Sequence, residues 1–98
     1  PFSTTVMEEA INRPEVEVVC ISLPNNLHEE AVNLCCKHKK AVITTKPLGR
    51  NAEEAKRMLQ AVEKAGIFNG YLEDLVYTPK FIKAHESVKN GDYPQLHW

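Results

Sequence analysis

Two kinds of hydrophobic pattern alternate along the chain. In four segments apolar residues recur every three or four positions, which is the spacing of a helix with one buried face. Three short segments between them have the character of strands, and in the first of them apolar residues fall on both faces of the pleat, as they do when both faces of a sheet are covered. The pattern therefore predicts the order helix, strand, helix, strand, helix, strand, helix. The predicted strands are 16–22, 41–44 and 67–71, and the predicted helices begin near Thr5, Leu27, Asn51 and Thr78.

Local signals mark the ends of the predicted helices. The pairs Thr5/Glu8 and Asn51/Glu54 have the spacing of a capping box, in which the first side chain accepts a hydrogen bond from the backbone N–H three residues later. Gly66 follows the third helix and suits the left-handed conformation of a helix end. The expected buried residues are Leu27, Ala31, Leu34 and Cys35 in the second helix, and Ala55, Met58, Leu59 and Val62 in the third.

Strands that are joined through helices of this length pair in parallel, with right-handed crossovers. The chain is therefore predicted to be an α/β protein, with part of a doubly wound parallel sheet of about three strands and flanking helices. The first strand, 16–22, would lie at an open edge of that sheet. Because proteins seldom leave a flat apolar edge uncovered, we expect more chain or another molecule to lie against it.

Two polar, proline-stiffened loops follow the first two predicted strands. Pro24 to His28 comes after the first strand, and Thr45-Lys46-Pro47 comes after the second. Open α/β sheets bind their ligands at the carboxyl ends of their strands, so the two loops are predicted to open onto one crevice. A lysine at that edge would present its ammonium to a ligand, although a lysine after a strand is often merely solvated.

The amino-acid composition limits the classes of molecule that the chain is expected to bind. The 98 residues are enough for one domain with a modest core. Twelve Lys and Arg almost cancel 13 Asp and Glu, so the broad positive field that would attract nucleic acid or an anionic membrane is missing. The basic run 37–40 suits the negative end of a helix dipole, which favours a solvated turn over a phosphate site. With apolar runs far shorter than the roughly 20 residues of a membrane span, the protein is expected to be soluble and cytoplasmic.

Three cysteines, Cys20, Cys35 and Cys36, suggest a reducing compartment, because they cannot all pair and adjacent cysteines make a strained bridge. Cys20 and Cys35 are expected to be small buried hydrophobes. Adding His28 and His38 does not produce a zinc pattern, so no metal site is predicted.

Several motifs occur in the order that they have in one enzyme family. The segment from Glu17 to His28, then Lys46-Pro47-Leu48 with 51–55, then Gly70-Tyr71, resembles the second half of the Rossmann domain in the Gfo/Idh/MocA oxidoreductases, which include glucose-fructose oxidoreductase and inositol dehydrogenase. The resemblance covers about residues 3 to 93, and it depends on the combination of motifs rather than on any one of them.

The resemblance implies a glycine-rich first half of the Rossmann domain before this region and a mainly β substrate domain after it. The four glycines cannot be arranged as Gly-x-Gly-x-x-Gly. Residues 1–93 would then be the C-terminal half of a dinucleotide-binding domain, and 94–98 the start of a second, substrate-binding domain. As such a fragment, the chain alone is expected to bind a dinucleotide poorly and to be inactive.

The resemblance also assigns site residues. Lys46 would be the catalytic residue, close to the nicotinamide and to the reacting carbon of the substrate, where its charge could stabilise a developing alkoxide. Pro24, Asn25 and His28, together with Lys46 and Pro47, would contact the cofactor, and the bond before Pro47 is expected to be cis. For His28 a surface or packing role stays an alternative, and an asparagine of the first loop could instead cap the following helix.

A function follows from the resemblance. The full-length protein would be an NAD- or NADP-dependent oxidoreductase that moves a hydride between nicotinamide and a sugar, polyol or related hydroxy compound, and it would be a homo-oligomer. Two departures bear on activity, since Thr45 replaces the family's usual glutamate and Leu72 to Leu75 differs from the residues of many relatives. The alternative is a non-catalytic α/β interaction module that pairs through its open sheet edge, with a partner or with a copy of itself.

Overall fold

The computed structural model describes residues 1–92, and its elements follow the predicted order. Two short 3₁₀ turns, Asn25–Leu27 and Leu75–Tyr77, lie between the regular elements. The predicted start of a second domain at 94–98 lies outside the described residues. The helices are α1 (Met7–Ile11), α2 (His28–Lys37), α3 (Ala52–Ala65) and α4 (Pro79–Asn90), and the strands are β1 (Val18–Ile21), β2 (Ala41–Thr45) and β3 (Asn69–Leu72).

The three strands form one parallel sheet in the order β1-β2-β3. Val18 of β1 lies opposite Ala41, and Val42 of β2 lies opposite Asn69 of β3. The helices between the strands are long enough for the crossovers that parallel pairing requires. The predicted α/β Rossmann-like class is therefore confirmed, and β1 and β3 are the edges of the described sheet.

The core lies between one face of the sheet and the helices α2 and α3. Along β2 the side chains alternate, so that Val42 and Thr44 are buried while Ala41, Ile43 and Thr45 are half-buried. Each fully buried aliphatic side chain contributes about 1.5–3 kcal/mol, so this core holds the two helices on the sheet. Its buried apolar residues are Ile11, Ile21, Ala31, Val32, Cys35, Val42, Met58 and Val62.

The prediction that β1 is buried on both faces is wrong. Ile21 is buried, but Val18 is 53% exposed and Cys20 is also exposed. Successive strand residues point to opposite faces of a sheet. The helices pack on the face that carries Val19 and Ile21, and the opposite face stays accessible within residues 1–92. Cys20 is therefore not the buried hydrophobe that its place in an apolar strand predicted.

The buried faces of α2 and α3 are shifted from their predicted positions. Residues 25–27 form a 3₁₀ turn, so α2 begins at His28 and Leu27 lies outside the helix. The buried residues of α2 are His28, Ala31, Val32 and Cys35, and the predicted Leu27 is only half-buried. In α3 the buried face runs through Glu54 and not through Leu59, which is 48% exposed. The other buried residues of α3 are Met58 and Val62, as predicted.

The predicted ends of α3 are confirmed. Asn51 Oδ1 accepts a hydrogen bond from the Glu54 N–H at 2.9 Å, and this caps the start of the helix. Gly66 ends α3 in the left-handed conformation, with φ of 65°. The capping box predicted for the first helix is wrong, because α1 begins at Met7 and no side chain caps it.

The basic run 37–40 forms a turn at the C-terminal end of α2, as predicted, and its side chains also hold elements together. The Lys37 ammonium and the His38 ring lie 2.6 and 2.9 Å from the Glu8 carboxylate, which ties α2 to α1. The hydrogen bond from Lys37 is the main cause of the lowered pKa of Glu8. Lys39 adopts the left-handed conformation and donates to the carbonyl of the last residue of α3 at 2.8 Å.

The surroundings of the two adjacent cysteines of α2 make their thiols unreactive. Cys35 is buried as predicted, and burial raises the pKa of its thiol to about 11. The pKa of Cys36 is raised for the same reason. A thiol with a raised pKa carries little thiolate, so neither residue is prepared for nucleophilic chemistry.

Two further properties of residues 1–92 concern metal binding and membranes. Within this range no three or more His, Cys, Asp or Glu side chains cluster as a metal site would require. None of the helices in the same range is long and apolar enough to span a bilayer.

Candidate functional site

The loops after β1 and β2 lie side by side at the carboxyl edge of the sheet. We refer to residues 22–27 as the β1 loop and to residues 46–51 as the β2 loop. In the parallel register Ile21, at the end of β1, lies opposite Thr44, one residue before the end of β2. The two loops thus leave neighbouring strands at the same edge, which is where open α/β sheets bind their ligands.

The Thr45 hydroxyl fixes the start of the β2 loop. It donates a hydrogen bond to the Ile21 carbonyl at 3.1 Å, across the gap between the ends of β1 and β2. An ionised glutamate, which the family resemblance implies at this position, has no hydrogen to donate to a carbonyl. Thr45 therefore gives this position a contact that holds the two strand ends together.

Lys46 and Pro47 form an exposed part of the β2 loop. The peptide bond between them is cis, so this prediction is confirmed. Since Lys46 directly follows Thr45, its backbone lies beside the end of β1, and its side chain is open to solvent. The catalytic role of Lys46 and the cofactor contacts of Pro47 stay predictions.

The β1 loop turns through its short 3₁₀ segment. The Leu27 N–H donates to the Pro24 carbonyl at 2.9 Å, and the His28 N–H donates to the Asn25 carbonyl. No side chain caps α2, so the alternative role of an asparagine as a helix cap is wrong. Asn25 Oδ1 is buried and has no hydrogen-bond partner among residues 1–92. Buried acceptors are normally paired, so this oxygen lacks the donor that a buried amide oxygen usually has.

His28 lies beneath the two loops and contacts both. Its ring is 1% exposed, with Nε2 3.0 Å from the Leu23 carbonyl oxygen of the β1 loop and Nδ1 3.3 Å from the Leu48 carbonyl oxygen of the β2 loop. Both ring nitrogens are thus within hydrogen-bonding distance of the backbone. Of the alternatives left open for His28, the surface role is wrong and the packing role is confirmed. A contact between His28 and a cofactor stays a prediction.

Glu54 holds the β2 loop on α3, and the sequence does not single it out as a site residue. Its side chain is fully buried, and its Oε2 accepts from the Arg50 backbone N–H at 3.3 Å and from the Arg50 Nε at 2.8 Å. Its Oε1 has no partner among residues 1–92. The sequence draws attention to Glu54 only through its capping-box spacing from Asn51. That spacing predicts the start of a helix but not the burial of the carboxylate.

Gly49→Ala is expected to destabilise the chain by about 1–3 kcal/mol through overpacking of the β2 loop. A Cβ at Gly49 would lie 2.9 Å from the Ala55 backbone nitrogen and 3.3 Å from the Asn51 carbonyl oxygen, so the start of α3 would have to shift. Gly70→Ala is the matched control, because its Cβ would meet the Ile43 side chain at 3.6 Å, an ordinary contact. Urea unfolding of both variants measures the difference. Equal losses of stability would contradict the close packing of Gly49 on α3.

An apolar hollow of about 200 Å³ lies between α3 and the sheet, on the side of β3. Its lining is mainly apolar and includes Val42, Met58 and Val62. A sugar or polyol needs polar groups placed around its hydroxyls. The hollow opens to solvent at Leu59 and Tyr71, and its mainly apolar lining does not suit a sugar or polyol.

Comparison with known proteins identifies the family of the chain. A family model described as an oxidoreductase family with an NAD-binding Rossmann fold matches residues 2–71. Myo-inositol 2-dehydrogenase of Thermotoga maritima is 34% identical over 91 residues, which cover 91% of this chain and 27% of the relative. Levoglucosan dehydrogenase of Pseudarthrobacter phenanthrenivorans is 33% identical over 89 residues, which cover 91% of this chain and 23% of the relative.

A solved structure agrees with these matches. The NAD binding oxidoreductase from Klebsiella pneumoniae superposes with a TM-score of 0.74 at 31% identity, over 92% of this chain and 24% of that protein. The chain thus spans about a quarter of the length of the relatives that it matches. Its fold, its ordered loops and the family match over most of its residues lead to one conclusion: the chain belongs to the Gfo/Idh/MocA oxidoreductase family, whose Rossmann fold binds NAD.

Proposed function

We propose that the chain is part of an NAD(P)-dependent oxidoreductase that transfers a hydride between nicotinamide and a carbinol carbon of a sugar, polyol or related hydroxy compound. Residues 1–93 form the C-terminal half of its dinucleotide-binding domain in this proposal, and 94–98 begin a second domain. The observation that carries the proposal is the pairing of the β1 and β2 loops at the carboxyl edge of a parallel sheet, with Lys46 exposed there. Relatives named for myo-inositol and levoglucosan support a hydroxylated substrate.

The two loops fit the nicotinamide end of NAD or NADP. Asn25 places a half-buried amide side chain in the β1 loop, and amide groups suit a ribose hydroxyl or a carboxamide. Pro24 and Pro47 stiffen the loops and add apolar ring surface. The pyrophosphate end is not matched in these 98 residues, because their four glycines do not form Gly-x-Gly-x-x-Gly. The proposal therefore includes poor dinucleotide binding, and no activity, for the 98 residues alone.

Lys46 is the residue that we assign to catalysis. Its ammonium hydrogen-bonds the substrate hydroxyl and stabilises the negative charge that develops on the oxygen as hydride leaves the carbon. The bound nicotinamide supplies the acceptor for that hydride. Because Thr45 places no carboxylate beside Lys46, we assign the group that receives the hydroxyl proton to another part of the protein.

The test uses the longest open reading frame that encodes this chain, alongside the 98 residues alone. NAD and NADP are each supplied with a panel of polyols and sugars, and the formation of reduced nicotinamide is followed by absorbance. We expect turnover of at least one polyol or sugar by the longer protein and none by the 98 residues. If the longer protein neither binds NAD or NADP in calorimetry nor turns over any compound, the proposal is wrong.

A second candidate function is a non-catalytic α/β module that pairs through β1. The observation that favours it is the open edge of the sheet, where the apolar Val18 is 53% exposed. Sedimentation of the 98 residues distinguishes the two functions, because a module of this kind forms a dimer with no cofactor present. For the longer protein we propose a homo-oligomer, which sedimentation of that protein tests in the same way.

A further inference from the structure

The ring of His28 joins two loops that belong to different strands. Leu23, in the β1 loop, and Leu48, in the β2 loop, are far apart in the sequence, yet their carbonyl oxygens lie 3.0 and 3.3 Å from the two nitrogens of one imidazole. We propose that His28 is the positioning residue that couples the β1 loop to the β2 loop and so sets the place of Lys46 relative to Asn25. The coupling stands on this geometry alone, and its consequence for Lys46 rests on the proposed function.

The chemistry of the two contacts leaves little freedom to the ring. Both partners are carbonyl oxygens, which accept hydrogen bonds and donate none, so a ring nitrogen must carry hydrogen to bond its partner. A neutral imidazole has one N–H, so it bonds one of the two carbonyls and packs its other nitrogen against the second. At 1% exposure the ring has almost no access to solvent that could replace a lost partner. A buried polar group without its partner costs considerably more than an exposed one. Movement of either loop away from His28 is therefore opposed by the burial of the ring.

The ring is itself anchored. His28 is the first residue of α2, whose next turns bury Ala31, Val32 and Cys35 in the core. Arg57 of α3 donates two hydrogen bonds to the Glu29 carboxylate at 2.6 and 2.9 Å, directly beside His28 in the chain, and this lowers the pKa of Glu29. Because α2 is held by the sheet and by α3, the imidazole is a fixed point against which both loops are placed.

Two other side-chain contacts at this edge of the sheet do not join the loops to each other. The Thr45 hydroxyl joins the two strand ends below the loops, and Glu54 holds the β2 loop on α3 through Arg50. Among the side-chain contacts of residues 1–92, those of His28 reach the backbone of both loops. Loss of the imidazole should therefore uncouple the β1 loop from the β2 loop while each keeps its remaining anchor.

Three variants separate the two contacts. The amide nitrogen of asparagine lies near the place of Nδ1, so His28→Asn keeps a polar contact with Leu48 and loses the contact with Leu23. The amide nitrogen of glutamine lies near the place of Nε2, so His28→Gln keeps a polar contact with Leu23 and loses the contact with Leu48. His28→Leu fills a similar volume and keeps neither polar contact.

Amide hydrogen exchange in the 98-residue chain is the measurement. We expect exchange to be about five- to tenfold faster in the β1 loop of His28→Asn, in the β2 loop of His28→Gln, and in both loops of His28→Leu, with the amides of α3 unchanged. The proposal is overturned if His28→Asn and His28→Gln loosen the same loop, or if neither changes either loop. Since these two variants retain a polar side chain, their comparison decides the matter even where His28→Leu fails to fold.

A second measurement connects the coupling to catalysis. In the longer protein, His28→Asn and His28→Gln are expected to lower kcat about tenfold or more with little change in KM, because the ammonium of Lys46 is misplaced in the transition state. Unchanged kcat with altered loop exchange would overturn the positioning role while leaving the oxidoreductase assignment intact. If wild-type protein shows no turnover, the proposed function fails, and the exchange experiment still tests the coupling.

Discussion

Lys46→Ala is expected to lower the kcat of the longer protein by about 100- to 1,000-fold, which is the usual effect of removing one group that stabilises a developing oxyanion. The ammonium gains strength as an interaction only when charge builds up on the substrate oxygen, so the loss falls on kcat more than on KM. Steady-state kinetics with the best compound of the polyol and sugar panel measures both constants.

Two variants control this experiment. Lys46→Arg keeps the positive charge at the exposed part of the β2 loop and should retain part of the activity, although its planar fork differs from an ammonium. Lys56→Ala removes a lysine from the exposed side of α3 and should leave activity unchanged. Equal activity of Lys46→Ala and Lys56→Ala would exclude Lys46 as the catalytic residue. Turnover by the wild-type protein would still support the proposed function in that case.

The place of the site follows from local patterns in the sequence. Helical segments between short apolar runs require parallel strands, and parallel strands bring the loops that follow them to one edge. For this reason the sequence alone predicts that the loop of Pro24 and the loop of Lys46 lie side by side. The ends of α3 could be predicted from the sequence too, because Asn51 and Gly66 act through backbone groups within a few residues of them.

What the sequence could not show depends on distant contacts. The burial of His28 depends on the 3₁₀ turn that sets the start of α2 and on a carbonyl 20 residues away, at Leu48. The exposure of Val18 and Cys20 depends on what covers one face of the sheet, and a continuous apolar run does not encode that. Glu54 looks like an ordinary helix-start residue, yet the packing of the β2 loop on α3 buries it.

The adjacent residues Met58 and Leu59 test the buried face of α3 directly. Met58→Ala is expected to destabilise the chain by about 2–5 kcal/mol, because it removes a side chain that is 2% exposed and enlarges the hollow between α3 and the sheet. Leu59→Ala is expected to cost less than about 1 kcal/mol, since roughly half of that side chain is already in water. Urea unfolding with a common m-value gives both changes in the free energy of unfolding.

The two losses of stability can be compared directly, because both residues lie in the same turn of α3. Both are replaced by alanine, which has a high helix propensity. The hydrophobic pattern alone predicts that both residues belong to the buried stripe, whereas the structure separates them by their position around the helix axis. A large loss of stability for Met58→Ala with a small one for Leu59→Ala supports the structure. Equal losses would mean that something beyond residues 1–92, either further chain or a second molecule, covers Leu59 in solution.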